Sequence, residues 1–143
     1  MILPDVNLLL YAYNRDASQH EGAASWLKSA LTRPEPVALT WTTILGFLRV
    51  STSPRVFPNP MTASEAITAI TEWLQRPTVA LLQTEERHWE ILQRMILRGN
   101  VSGSLITDAH LAALAIEHGA TLCTTDRDFA RFPGLRWQNP LEA

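Results

Sequence analysis

The chain has 143 residues, 46% of them hydrophobic and 18% charged, with a formal net charge of −2. That is enough apolar material for one core and too little length for two of normal size, and it excludes an intrinsically disordered chain. The charge excludes a globally basic nucleic-acid binder, although local arginines can still hold phosphates. Lys28 is the only lysine among twelve cations. Arginine offers bidentate phosphate contacts that lysine cannot, but codon bias in a GC-rich genome gives the same imbalance. The single cysteine, Cys123, rules out an intrachain disulfide framework and a Cys-based zinc site. The longest charge-free stretch, Pro36 to Leu48, is too short to span a bilayer, and the first apolar run carries Asp5 with no basic leader. The expectation is a cytoplasmic protein with no membrane span and no signal peptide.

In chain order, Met1 to Leu3 reads as a short strand stopped by Pro4-Asp5, and Asn7 to Asn14 as a short helix. Ser18 and Glu21 have capping-box spacing, which predicts a helix from about Gln19 to Leu31. Val37 to Thr40 follows as a strand and Thr42 to Val50 as a buried helix. The three prolines of Ser53 to Pro60 mark a loop. Thr62 and Glu65 form a second capping box, before a helical stripe of Ile67, Ile70, Trp73 and Leu74 that ends before Pro77. Thr78 to Leu82 is the third strand. Thr84 is expected to cap a helix with Trp89, Leu92 and Ile96 on one face, closed by Arg98 and Gly99. Leu105 to His118 is apolar nearly all round and reads as a buried helix ended by Gly119. Ala120 to Thr124 is the fourth strand, and a short last one lies near Leu135 to Trp137. Strands alternating with helices predict one α/β domain over 1–143 with a mostly parallel sheet of about four to five strands.

There are only five aspartates, and four fall at marked places. Asp5 follows the first strand, Asp126 and Asp128 follow the fourth, and Asp108 opens the most apolar helix. Open parallel sheets bind ligands beyond the carboxyl ends of their strands. Singly, each acid has an ordinary explanation as a turn former or helix cap. Together they mark one crevice. Two such charges ~4 Å apart cost about 4 kcal/mol at an effective dielectric near 20, so converging carboxylates need shifted pKa values or a cation. An all-oxygen set suits Mg²⁺, with Mn²⁺ as the alternative.

Asp5-Val6-Asn7 after a strand, Thr107-Asp108-Ala109 opening a helix and Thr124-Thr125-Asp126-Arg127-Asp128-Phe129 after a strand resemble the PIN domain. The chain is most similar to the VapC-type toxin ribonucleases of bacterial toxin–antitoxin modules, from Ile2 to about Trp137. The resemblance implies a three-layer α/β/α fold and a Mg²⁺-dependent endoribonuclease that acts as a toxin. It implies a homodimer silenced by a VapB-type antitoxin protein. It also implies metal ligation by Asp5, Asp108 and Asp126, with Asp128 a further catalytic acid and Asn7, Arg49 and Thr125 in supporting or RNA-binding roles. The helices near Trp26, Trp41 and Trp73 are the candidate association surfaces.

One position departs from the pattern. The family's Glu-x-x-Arg helix is here Gly46-Phe47-Leu48-Arg49, so glycine stands where an acid is expected. This opens an alternative, a catalytically weakened or dead module that only binds RNA or protein. A third reading is a small phosphatase or phosphoryl-transfer domain, with Asp126-x-Asp128 as its only candidate nucleophile motif.

Overall fold

The structure, a computed structural model, describes residues 1–142. Five strands alternate with six helices: β1 (Ile2–Pro4), α1 (Val6–Tyr13), α2 (His20–Thr32), β2 (Val37–Thr40), α3 (Trp41–Ser51), α4 (Ala63–Leu74), β3 (Val79–Leu82), α5 (His88–Gly99), α6 (Ile106–His118), β4 (Thr121–Cys123) and β5 (Trp137–Gln138). Short 3-10 helices lie at Gly103–Leu105 and Arg127–Arg131. All strand pairs are parallel, in the spatial order β3-β2-β1-β4-β5.

The period-two alternation of the strands sorts the core onto two faces. Leu3, Ala38 and Leu122 face one way, into a core with Ile91 and Met95 of α5 and Ala112 of α6. Ile2, Val37, Leu39 and Cys123 face the other way, onto α1 to α4, where Leu8, Ala30 and Phe47 are buried. The result is a three-layer α/β/α sandwich. Chain growth from β1 through β3 puts its helices on one face, and the return to β4 puts α5 and α6 on the other. A single crossover handedness requires this. The strand order therefore reverses between β1 and β4, which opens a crevice beyond their carboxyl ends.

Several local expectations meet their structure directly. Thr62 and Glu65 form the reciprocal capping box, with Thr62 N donating to Glu65 Oε1 at 2.9 Å and Glu65 N donating to Thr62 Oγ1 at 3.1 Å. Gly119 ends α6 in the left-handed conformation at φ 67°.

Others are corrected. Ser18 does not cap α2; its hydroxyl donates to Gln19 Oε1, and Gln19 at the helix entrance is already helical in its backbone. A capping side chain needs an extended residue there, and the turns through Ala17 do not provide one. Thr84 does not cap α5, which begins four residues later at His88. His88, Ile91 and Met95 of α5 are buried, Leu92 and Ile96 pack partly buried against the same core, and Trp89 stands 66% exposed. Asn100, at φ 50°, takes the left-handed residue after α5 in place of Gly99. Trp73 itself is buried, with its Nε1 donating to Tyr13 Oη at 3.0 Å, while Ile67 and Leu74 of the same helix are exposed.

Gly99 has a packing reason instead. A β-carbon there would lie 2.9 Å from Cε1 of the buried Phe132 ring. Gly99→Ala would gain about 1 kcal/mol of helix propensity. The overpacking penalty of roughly 1–3 kcal/mol should outweigh it. Urea unfolding should show a net loss of about 1 kcal/mol, and a gain would mean that Phe132 swings aside freely.

Candidate active site

Asp5 begins α1 at the switch point, and its backbone N donates to Cys123 O at 2.9 Å, which ties the ends of β1 and β4 together. The residue is only 6% exposed. Its Oδ2 accepts from Thr124 Oγ1 at 2.9 Å. Thr124 Oγ1 in turn accepts from Asp126 N at 3.0 Å, and Asp126 Oδ1 accepts from Asp128 N at 2.9 Å. One hydrogen-bonded run thus joins three of the four aspartates. Asp126, not Asp128, caps the 3-10 helix Arg127–Arg131. The hydroxyl bonded to the acids is that of Thr124, fully buried; Thr125, the expected one, makes no side-chain hydrogen bond among the described residues. The residue types alone do not separate these adjacent threonines. Only the exact end of β4 decides which one faces Asp5.

Asp108 comes from the opposite layer, in the first turn of α6. Burial, then the charges of Asp5, Asp126 and Asp128, push its carboxyl up to about 6, against an opposing pull from Arg131. Burial also raises Asp5, with the charge of Asp126 adding to it; the Thr124 hydroxyl and the amides of Val6 and Asn7 act the other way, although no cap hydrogen bond forms. The four aspartates therefore sense one another electrostatically. Arg131 is a cation near the site that sequence spacing did not single out.

A crevice of about 500 Å³ is lined by Asp5, Asp108, Thr42, Gly46 and Arg49. Arg49 is exposed and has no ion-pair partner among the described residues. Asn7 is also exposed. Gly46 faces the same crevice as Asp5 and Asp108. A β-carbon there would meet only Val6 Cγ2, at an ordinary 3.5 Å.

No three His, Cys, Asp or Glu side chains among the described residues already stand as a metal-ligating group. In kind, the donors fit a hard divalent cation: they are carboxylate oxygens only, and their mutual repulsion is what a cation relieves. The carboxylates would have to draw together to ligate it.

His110, two residues beyond Asp108, bonds instead to His88, with His88 Nε2 and His110 Nδ1 2.9 Å apart. Burial and the neighbouring His88 hold His110 below the usual histidine range. His88 Nδ1 lies 3.6 Å from Glu117 Oε1, just beyond hydrogen-bond length. This group was not evident from sequence spacing, because it joins α5 to both ends of α6.

The family described as PIN domain matches residues 2–135. Ribonuclease VapC37 of Mycobacterium tuberculosis is 40% identical over 140 residues, covering 98% of this chain and 97% of that protein. Ribonuclease VapC33 of the same species is 40% identical over 141 residues, covering 99% of each. A toxin–antitoxin complex from Klebsiella pneumoniae contains a chain with the same fold, at a TM-score of 0.67 and 18% identity, covering 98% of each chain.

The raised carboxyl of Asp108 has a consequence for stability. A carboxyl whose folded pKa of about 6 exceeds its ordinary value of 3.8 binds its proton more tightly in the folded state. Its effect is therefore stabilising at low pH and is lost as pH rises from about 4 to 6. In chelator, wild-type melts should drop relative to Asp108→Asn across that window, leaving the variant the more stable at pH 7. Parallel melting curves for the two proteins from pH 4 to 7 would show that Asp108 is not under this repulsion.

Proposed function

The chain belongs to the PIN-domain family, alongside the VapC ribonucleases, and we propose that it is the toxin of a toxin–antitoxin pair, a Mg²⁺- or Mn²⁺-dependent endoribonuclease built as one PIN-like domain over 1–143. The observation that carries this reading is the gathering of four aspartates at the β1/β4 switch point, with Asp108 displaced to about 6 by the others and by burial. The ribonuclease names of its 40%-identical relatives support the substrate class. The fold shared with a toxin–antitoxin complex supports a VapB-type antitoxin as partner. No helix among the described residues is long and apolar enough to cross a membrane. We read the protein as a cytoplasmic homodimer.

Asp5, Asp108 and Asp126 would hold the cation. When bound, it supplies Lewis-acid stabilisation of the charge that grows on a phosphodiester under attack by water. The chain's own groups do the rest. Thr124 donates to Oδ2 of Asp5 and so holds that carboxylate in one orientation with its other oxygen free. The Asp128 amide does the same for Asp126 through Oδ1. Arg49, exposed at the crevice and unpaired, can take a phosphate in bidentate fashion. Asn7, exposed two residues beyond Asp5, can orient a carboxylate or a water, and Asp128 adds a further exposed acid.

One specific observation favours the second reading, a weakened or dead module. Gly46 lines the crevice beside Asp5 and Asp108 and contributes no ligand there. The two readings separate in a metal titration followed by thermal melting, since only an intact site is stabilised by Mg²⁺ or Mn²⁺.

Two expected outcomes follow. Asp5→Asn and Asp126→Asn should lower RNA cleavage at least a hundredfold while circular dichroism stays native; normal cleavage by both would refute the site. Gly46→Glu should fold, since a β-carbon there makes only ordinary contact with Val6. It should tighten Mn²⁺ binding and raise cleavage about tenfold, the gain expected from one added oxygen ligand. A folded Gly46→Glu protein with unchanged metal affinity and rate would show that this position is not the missing acid's.

A further inference from the structure

A second cavity, of about 250 Å³, opens beside the acidic crevice at the carboxyl ends of β2 and β3. The two share one residue, Thr42. The second is lined by Thr40, Gln83, Thr84 and His110 together with Trp41, Leu82 and Leu114, and it contains no carboxylate. It falls below the roughly 300–1,000 Å³ of pockets for drug-sized ligands, so it suits a single heterocyclic ring.

Its walls are unusually well held for a surface feature. Glu117, on α6, has a side chain only 5% exposed. Its Oε1 accepts from Glu85 N at 3.0 Å and lies 3.6 Å from His88 Nδ1. His88 then bonds through Nε2 to His110 Nδ1. His118 Nε2 reaches Gln83 O at 2.8 Å, which fixes the same loop a second time. His110 is therefore held in place through one nitrogen, and its Nε2 has no protein partner among the described residues. Trp41, at the other wall, is 54% exposed at the start of α3.

We propose that this cavity is a nucleobase subsite for the RNA residue next to the scissile phosphate, with Trp41 stacking on the base and His110 reading its edge. The inference rests on the ribonuclease reading above. An exposed indole beside a pocket that carries hydrogen-bonding side chains offers a π-face to stack on, and single-stranded RNA is recognised by stacking together with hydrogen bonds to base edges. His88 and Glu117 are positioning residues that act through His110. Shared Thr42 puts the base and the phosphate on adjoining surfaces. Leu82 and Leu114 supply apolar contact for a ring, and the threonines, Gln83 and His110 supply the hydrogen-bonding groups that a base edge uses.

The test uses the full chain and 2′-O-methyl RNA pentanucleotides carrying each of the four bases, or an abasic site, at one position. Affinity is read by fluorescence anisotropy in chelator, and kcat/KM on cleavable RNA is read in Mg²⁺. Trp41→Ala should weaken binding and kcat/KM about tenfold, the scale of one lost stack, and Trp41→Phe should recover most of it. The abasic oligonucleotide should bind wild type and Trp41→Ala alike. His110→Ala and Glu117→Gln should flatten the preference among the four bases. If Trp41→Ala matches wild type in both affinity and kcat/KM while wild type cleaves RNA, the subsite is overturned and the nuclease reading stands. If wild type neither binds nor cleaves RNA, both fall. A Trp41→Ala effect confined to antitoxin peptide binding, or a change of mass by light scattering, assigns the ring to a protein contact and likewise overturns the proposal. Trp41 is exposed, so its variant carries the decision even where a substitution at His110 or Glu117 disturbs the fold.

Discussion

Mutual repulsion among carboxylates is the constraint on which this end of the molecule depends. Asp5 is nearly buried, Asp108 is half-buried across from it, and Asp126 and Asp128 are close enough to raise the carboxyl of Asp108. A fold does not gain stability from this arrangement. Every ordinary role open to these residues, as cap or turn former, could be filled without gathering them. The cost is held in check by local donors. The Thr124 hydroxyl and the Asp128 amide each satisfy one carboxylate oxygen. Both donors fix orientation. Strain kept at one place by otherwise consistent structure is a mark of function.

The sheet topology makes that concentration possible. The strand order reverses between β1 and its parallel neighbour β4, so the connections that leave these two strands run to opposite faces and open a crevice at their carboxyl ends. The hydrogen bond from Asp5 N to Cys123 O closes the junction. Helix α6 lies on the opposite face from α1, and its first turn supplies the acid that neither strand can. Because the site is assembled from three separated segments, no local pattern in the sequence contains it.

Much of the architecture was nevertheless legible. Strand β2 matches its expected span from Val37 to Thr40, and the Thr62–Glu65 capping box forms with both of its hydrogen bonds. These features depend on neighbouring residues, which a sequence displays directly. The parallel sheet and the placing of four aspartates near strand and helix ends were likewise readable. The failures share one physical cause. The start of α5 depends on turns and on packing against α6, so Thr84, four residues before the helix begins, was read as its cap. Thr124 was passed over for Thr125 because one residue of strand register decides which hydroxyl meets Asp5. The Glu117–His88–His110 group spans two helices and two full turns, beyond any short-range signal.

Gly46 and Arg49 belong to one question. In the pattern this chain resembles, an acid and an arginine sit three residues apart on a helix, where side chains are neighbours and opposite charges attract. Replacing the acid by glycine removes a carboxylate from a crevice already crowded with them. It lowers the repulsion that the cation-free site must bear, and it lowers the attraction the site can offer a cation. It also removes the arginine's natural partner. Arg49 is in fact exposed and without an ion pair, on the same crevice as Asp5 and Asp108. An arginine paired to a site acid has part of its charge and its planar fork already engaged, whereas an unpaired one presents both to an incoming phosphate. Under the function proposed above, the glycine would exchange metal affinity for phosphate affinity within one turn of α3. The substitution would then retune the site, a weaker hold on the cation being the counterpart of a freer arginine.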